Sequence, residues 1–205
     1  MRLLSTSFLF TSCCLFLASC QENENDPEIT VPKNIKSAVD LDFAVRLGDP
    51  YPIALDLNED ALVDFSLFME LTANSSGDHL YVGINPIGAN QIISSPEDDA
   101  HFLNMGFVQS FETNKKIHAQ TTTGLEWTVN FSSLVIRHTS NNQPDWHEGN
   151  WKNNQLNYAP IRLYKDNAYL YGWIGIKFDT ETETLYVSSF AYNQTPDQEI
   201  LAGER

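Results

Sequence analysis

Between residues 63 and 72 apolar and polar side chains alternate with a period of two. Val63, Phe65, Leu67, Met69 and Leu71 take one parity, and Asp64, Ser66, Glu70 and Thr72 the other, with Phe68 the exception. Successive side chains on a strand point to opposite faces, so this pattern describes a strand buried on one side. The same signal returns along the chain. Asn74-Ser75-Ser76-Gly77-Asp78 reads as a turn, and Leu80 to Ile84 as the next strand. Ile161 to Tyr164 is a short strand, Lys165-Asp166-Asn167 a turn, and Ala168 to Phe178 and Leu185 to Tyr192 a final pair. Trp127, Val129 and Phe131 share a parity that Leu134 and Ile136 do not, which predicts a bulge or break at Ser132-Ser133. Only Val31 to Leu47 is ambiguous, because Ile35, Val39, Phe43 and Leu47 recur every four residues. Short strands joined by polar turns predict an all-β chain, an antiparallel β-sandwich of jelly-roll-like form.

Hydrophobic residues make up 42% of the chain and charged ones only 19%, so the body has enough apolar surface to fold as one domain. The net charge is −15, which repels phosphates and argues against nucleic acid as a partner. It also disfavours electrostatic docking on anionic lipid. Cysteines occur only at Cys13, Cys14 and Cys20.

The first residues account for those cysteines. Met1 and Arg2 precede an apolar run from Leu3 to Phe16, too short for a bilayer span and followed by small residues. Leu17-Ala18-Ser19-Cys20 resembles the lipobox of bacterial lipoproteins. That resemblance implies removal of residues 1–19 and diacylglycerol on Cys20, which anchors the chain to the membrane through lipid. Residues 20–34 then read as an acidic tether, with Gln21 to Glu28 polar and free of aromatics, and residues 35–205 as the sandwich domain. The expected address is the outer membrane, at the cell surface or on its periplasmic face. With the other two cysteines removed, the mature body holds no disulfide, thiolate metal site or cysteine nucleophile.

Asp56, Asn58, Asp60 and Asp64 place side-chain oxygens at positions 1, 3, 5 and 9 of a loop, and the Leu62 carbonyl adds a further oxygen. Calcium takes six to eight hard oxygens, so the spacing predicts a calcium loop; an acidic β-turn is the plain alternative. Ala61 stands where glycine would ease the turn, and Leu67 where an EF-hand carries its bidentate glutamate.

No catalytic residue stands out. His79, His101, His118, His138 and His147 show no H-x-H or H-E-x-x-H spacing, and there is no G-x-S-x-G elbow. Aromatic side chains supply the binding candidates. Trp146 and Trp151 flank a polar segment, fit either to stack on sugar rings or to close one end of the sandwich. Tyr169, Tyr171 and Trp173 share one strand parity, and Tyr186, Phe190 and Tyr192 share another; in register they predict a single aromatic face, exposed or core.

Taken in order, Asp56 to Phe65, Tyr171-Gly172-Trp173-Ile174, Phe190-Ala191-Tyr192-Asn193-Gln194-Thr195-Pro196 and Ile200-Leu201-Ala202-Gly203 resemble a pattern of uncharacterised secreted bacterial β-proteins. That pattern runs D-x-D-x-D-x-x-x-D-F, then Y-G-W, A-Y-E-x-T-P and I-x-A-G. Asn58, Ala61 and Asn193 depart from it. It implies an extracytoplasmic β-sandwich and assigns no activity. Three functional expectations follow: binding of a glycan or partner protein at the surface, glycan hydrolysis by paired carboxylates, or a structural role in the envelope.

Overall fold

Most of the alternating segments are strands. The structure, a computed structural model, describes residues 34–205 apart from 51, 76, 100–102 and 141–142, and only the backbone of 37–40. The expected signal segment, Cys20 and the tether lie outside the described residues. In chain order the strands are β1 (Ile35–Val45), β2 (Ile53–Leu55), β3 (Phe65–Asn74), β4 (Gly77–Pro86), β5 (Gln91–Ser94), β6 (Lys116–Ile117), β7 (Glu126–Thr128), β8 (Ser132–Ser140), β9 (Gln143–Gly149), β10 (Asn157–Lys165), β11 (Ala168–Asp179), β12 (Thr184–Asn193) and β13 (Ile200–Leu201). One sheet has six strands in the order β1-β12-β11-β10-β5-β7, and the other has five in the order β2-β3-β4-β8-β9. All pairings between these strands are antiparallel. The fold is an antiparallel β-sandwich.

The main core lies between the two sheets. Phe65, Leu67, Val82 and Ile84 from the five-stranded sheet meet Ile161, Ile174, Ile176 and Leu185 from the six-stranded sheet. Phe68, the residue out of step in the β3 pattern, points the other way. With Tyr81, Ile136 and Met105 it forms a small cluster on the outer face of the five-stranded sheet, packed by Leu103 and Phe107. A third cluster covers the outer face of the six-stranded sheet. There Tyr171, Trp173 and Ala191 pack against Phe111, Ile117, Ile200 and Ala202, brought by the 109–125 segment and by β13, which pairs with β6. The six-stranded sheet is thus buried on both faces at its centre.

Two sequence expectations change in form. The stretch with a period of four is strand β1, since a spacing of four is also two strand repeats. A register shift between Val39 and Phe43, with Asp42 at φ 34°, turns the chain over. Ile35 therefore packs on the outer cluster and Phe43 on the inner core. The parity change near Ser132 has two sources: β7 and β8 belong to different sheets, and Leu134 is an extra residue on β8, since Val82 pairs with Val135 but Gly83 with Ser133. The Asp166-Asn167 turn is as read: both residues have positive φ (51° and 62°), the type I′ geometry that closes the Lys165–Ala168 pair.

Candidate functional site

The expected single aromatic face is divided by a bulge. Gly175 pairs with Ser189 but Ile176 pairs with Val187, so Ser188 is the extra residue on β12. Beyond it the parity reverses. Phe190 faces Ile174, and both belong to the inner core with Tyr192. Trp173 faces Ala191 on the opposite side, with Tyr171 and the half-buried Tyr169. Tyr171 and Trp173 are sealed under the covering layer, and the Trp173 indole N–H donates to the Glu204 carbonyl at 3.2 Å. Tyr186 is half-buried beside the Lys177 ammonium, 5.7 Å from its ring centroid. These six residues therefore do not make one surface.

The two tryptophans of the 145–151 segment also part. Trp151 is 1% exposed in the main core and donates its indole N–H to the Val108 carbonyl at 3.3 Å. Trp146 is 45% exposed on edge strand β9. Its Cα partner is His138, and the Cα partner of His138 is His79. The Trp146 ring stacks on the His138 ring, with centroids 4.6 Å apart and planes 13° apart. His79 Nδ1 and His138 Nδ1 are 2.8 Å apart, and His138 Nε2 lies 3.3 Å from a Glu148 carboxylate oxygen. Across the Nδ1–Nδ1 contact one ring donates and the other accepts, according to tautomer. Histidines 59 residues apart in sequence meet here because β4 and β8 are neighbours.

The same face continues along the sheet. In the next row Glu70, Tyr81, Ile136 and Glu148 are successive Cα partners. Further on, a pocket of about 290 Å³ is lined by Phe68, Glu70, Asn85, Met105 and Phe131, with Phe131 46% exposed and edge-on to Phe68. The open part of this face thus carries exposed aromatic rings among carboxylates, imidazoles and an amide.

The acidic loop is organised around Asp64, which is 4% exposed. Its Oδ2 accepts the Leu57 and Asn58 backbone N–H groups at 2.8 and 3.2 Å. Its Oδ1 accepts the Asn58 and Asn90 side-chain amides at 3.2 and 3.1 Å. Burial pushes the Asp64 carboxyl above the ordinary range, while these donors pull it back. Asp56 accepts the N–H groups of Glu59, Asp60 and Ala61, Asn58 Oδ1 accepts that of Asp60, and Asp60 Oδ1 accepts that of Leu62, whose side chain is exposed. Glu59 and Ala61 hold φ of 62° and 67°, so Ala61 adopts the left-handed conformation usual for glycine. Each candidate calcium-ligand side chain, Asp56, Asn58, Asp60 and Asp64, caps at least one loop or side-chain N–H. Among the described residues no three His, Cys, Asp or Glu side chains converge as a metal site.

One cluster has no single-sequence signature. Arg162 of β10 lies on the outer face of the six-stranded sheet, its guanidinium carbon 3.8 Å from the Tyr169 ring centroid and 4.8 Å from that of Trp127. Gln91 Oε1 accepts its Nε–H at 2.8 Å and also its Nη2–H. A lone arginine between Ile161 and Leu163 was the visible sign, but its partners come from β5, β7 and β11. Comparison of the chain with models of protein families, with curated proteins and with solved structures returned no match.

Proposed function

We propose that the chain is a lipid-anchored outer-membrane protein, displayed at the cell surface, that binds glycan on the outer face of its five-stranded sheet. The observation that carries this reading is Trp146, a large ring 45% exposed on an open sheet face and held flat against His138. A fixed, exposed indole suits stacking on the C–H face of a sugar, and neighbouring polar side chains suit its hydroxyls. His79, Glu148 and Glu70 occupy the same face. The Leu17-Ala18-Ser19-Cys20 segment supports the anchor.

Hydrolysis would need a pair of acids brought together on this face. Glu70 and Glu148 sit on β3 and β9, three strand spacings apart, or about 14 Å between backbones. Paired-carboxylate glycosidases hold their acids about 5–10 Å apart. The test is titration of glycans identified on an array against the wild-type protein and Trp146→Ala, with a parallel search for released sugar. At least a tenfold loss of affinity in the variant, with no hydrolysis, is expected. Unchanged affinity would remove the reading, and glycan cleavage would favour the enzyme. Failure of the protein to bind any glycan would leave a protein partner or an envelope role in its place. Loss of acyl labelling in Cys20→Ala tests the anchor.

Calcium at Asp56, Asn58, Asp60, Leu62 and Asp64 is part of the same proposal. What favours it is the left-handed turn at Ala61, which curls the loop as a glycine would and gathers Asp56, Asn58 and Asp60 about it. Equal melting temperatures in calcium and in chelator would exclude it.

A further inference from the structure

We infer that Arg162 anchors a second ligand site, on the other sheet from Trp146, that takes the carboxylate of an acidic sugar. The setting is built rather than incidental. The guanidinium lies against the Tyr169 and Trp127 rings, and its Nε edge is held by Gln91. Gln91 also donates its amide to the Tyr169 hydroxyl at 3.2 Å, which ties the cluster together. A guanidinium has five N–H groups, and the Gln91 oxygen engages two of them. Arg162 is half-buried and its Nη1, which has no partner among the described residues, is not sealed from solvent.

The acceptor is neutral, as it is for the Arg46 Nε–H, which donates to the Thr184 hydroxyl at 3.2 Å. Lys36, Lys116 and Arg137 each pair with a carboxylate within 4.0 Å. Arg162 has no such ion pair among the described residues, in a chain of 27 acidic residues. Its neutral acceptor leaves the positive charge uncompensated at the surface. The free end, with Nη1 and the second Nη2 hydrogen, is the planar fork that matches a carboxylate through two parallel hydrogen bonds. Because Gln91 and the two rings already hold the guanidinium in place, little side-chain freedom is lost on binding.

The aromatic neighbours narrow the ligand. Tyr164 is 43% exposed, and its ring centroid lies 5.3 Å from that of Tyr169. A sugar ring can lie on this phenol while its carboxylate meets the fork. The chain's overall negative charge repels every anion at long range, an acidic oligosaccharide included, so short-range contacts must supply the preference. A uronic acid satisfies both contacts at once.

The test titrates the full chain with an oligogalacturonide, the matching neutral galacto-oligosaccharide, and sodium acetate. The oligogalacturonide should bind at least tenfold more tightly than either. Arg162→Met should lower that affinity at least tenfold. Gln91→Glu keeps the cluster but places a carboxylate on the guanidinium, and should do the same even if Arg162→Met fails to fold. Trp146→Ala should leave uronide binding unchanged, which separates this site from the one on the five-stranded sheet. Equal binding of the neutral oligosaccharide, equal binding of acetate, or undiminished uronide affinity in Gln91→Glu would each overturn the inference.

Discussion

Replacing Asp64 by Asn is the sharpest test of how the loop is held, because it changes one atom and one charge. The carboxylate receives two donors on each oxygen. An asparagine must put its NH₂ group where one oxygen was. On the Oδ2 side that group confronts the Leu57 and Asn58 backbone N–H groups. On the Oδ1 side it confronts the Asn58 and Asn90 amides. Neither amide can flip to help: Asn58 Oδ1 already accepts the Asp60 N–H at 2.9 Å, and Asn90 Oδ1 the Tyr164 N–H at 2.8 Å. Two donors therefore lose their acceptor in either orientation. A donor left unsatisfied at a buried site costs about 1–3 kcal/mol. Removing a charge whose burial is itself unfavourable returns part of this, so a net loss of about 3 kcal/mol is expected. For a domain of this size that is a fall in Tm of roughly 6–12 °C. The assay is urea and thermal unfolding of both proteins at pH 7, each in calcium and in chelator. A loss of similar size in both media identifies Asp64 as a hydrogen-bond hub. A variant within about 0.5 kcal/mol of wild type in chelator would refute the reasoning, since surface changes typically fall in that range.

Ala61→Gly removes a side chain from a left-handed residue and should stabilise the protein by about 0.5–1 kcal/mol, read as a rise in urea midpoint. Trp151→Ala empties a core site and should cost about 3–5 kcal/mol in the same measurement. His147 is held below its ordinary pKa by burial against the end of the sandwich, and its Nε2 lacks a hydrogen-bond partner among the described residues. A depressed pKa means that protonation opposes the folded state. Wild-type stability should fall as pH drops from about 6.5 through that lowered value. His147→Phe, which keeps a ring against Phe178, should flatten that part of the pH profile relative to wild type.

Much of the fold is legible in the sequence because strand parity is a local signal. The β3 alternation and the Asp166-Asn167 turn are plain examples, and even the exceptional Phe68 has a meaning, namely a second apolar cluster on the far face. Parity fails where a bulge intervenes. Ser188 reverses the face of Phe190 and Tyr192, so six aromatic residues that align on paper point to two sides of one sheet. No composition rule announces that extra residue, although Gly175 marks the place: a side chain there would meet Ser188 Oγ and Ser189 Oγ at 2.9 Å. The candidate sites were less legible still. His79 with His138, and Arg162 with Gln91, Trp127 and Tyr169, are assembled by pairings between distant segments that one sequence does not reveal.

The pairing of β1 with β12 sets the order in which the molecule can form. Ile35 meets Asn193, so the edge of the six-stranded sheet waits until almost the whole domain has emerged. Its outer face waits longer, since Ile200 and Ala202 help to cover Tyr171 and Trp173. Closing contacts so remote in the chain makes folding slow. Until they close, a partly synthesised or clipped chain exposes aromatic surface and unpaired strand edges, so its vulnerability to aggregation and proteolysis is greatest just before the last strand arrives.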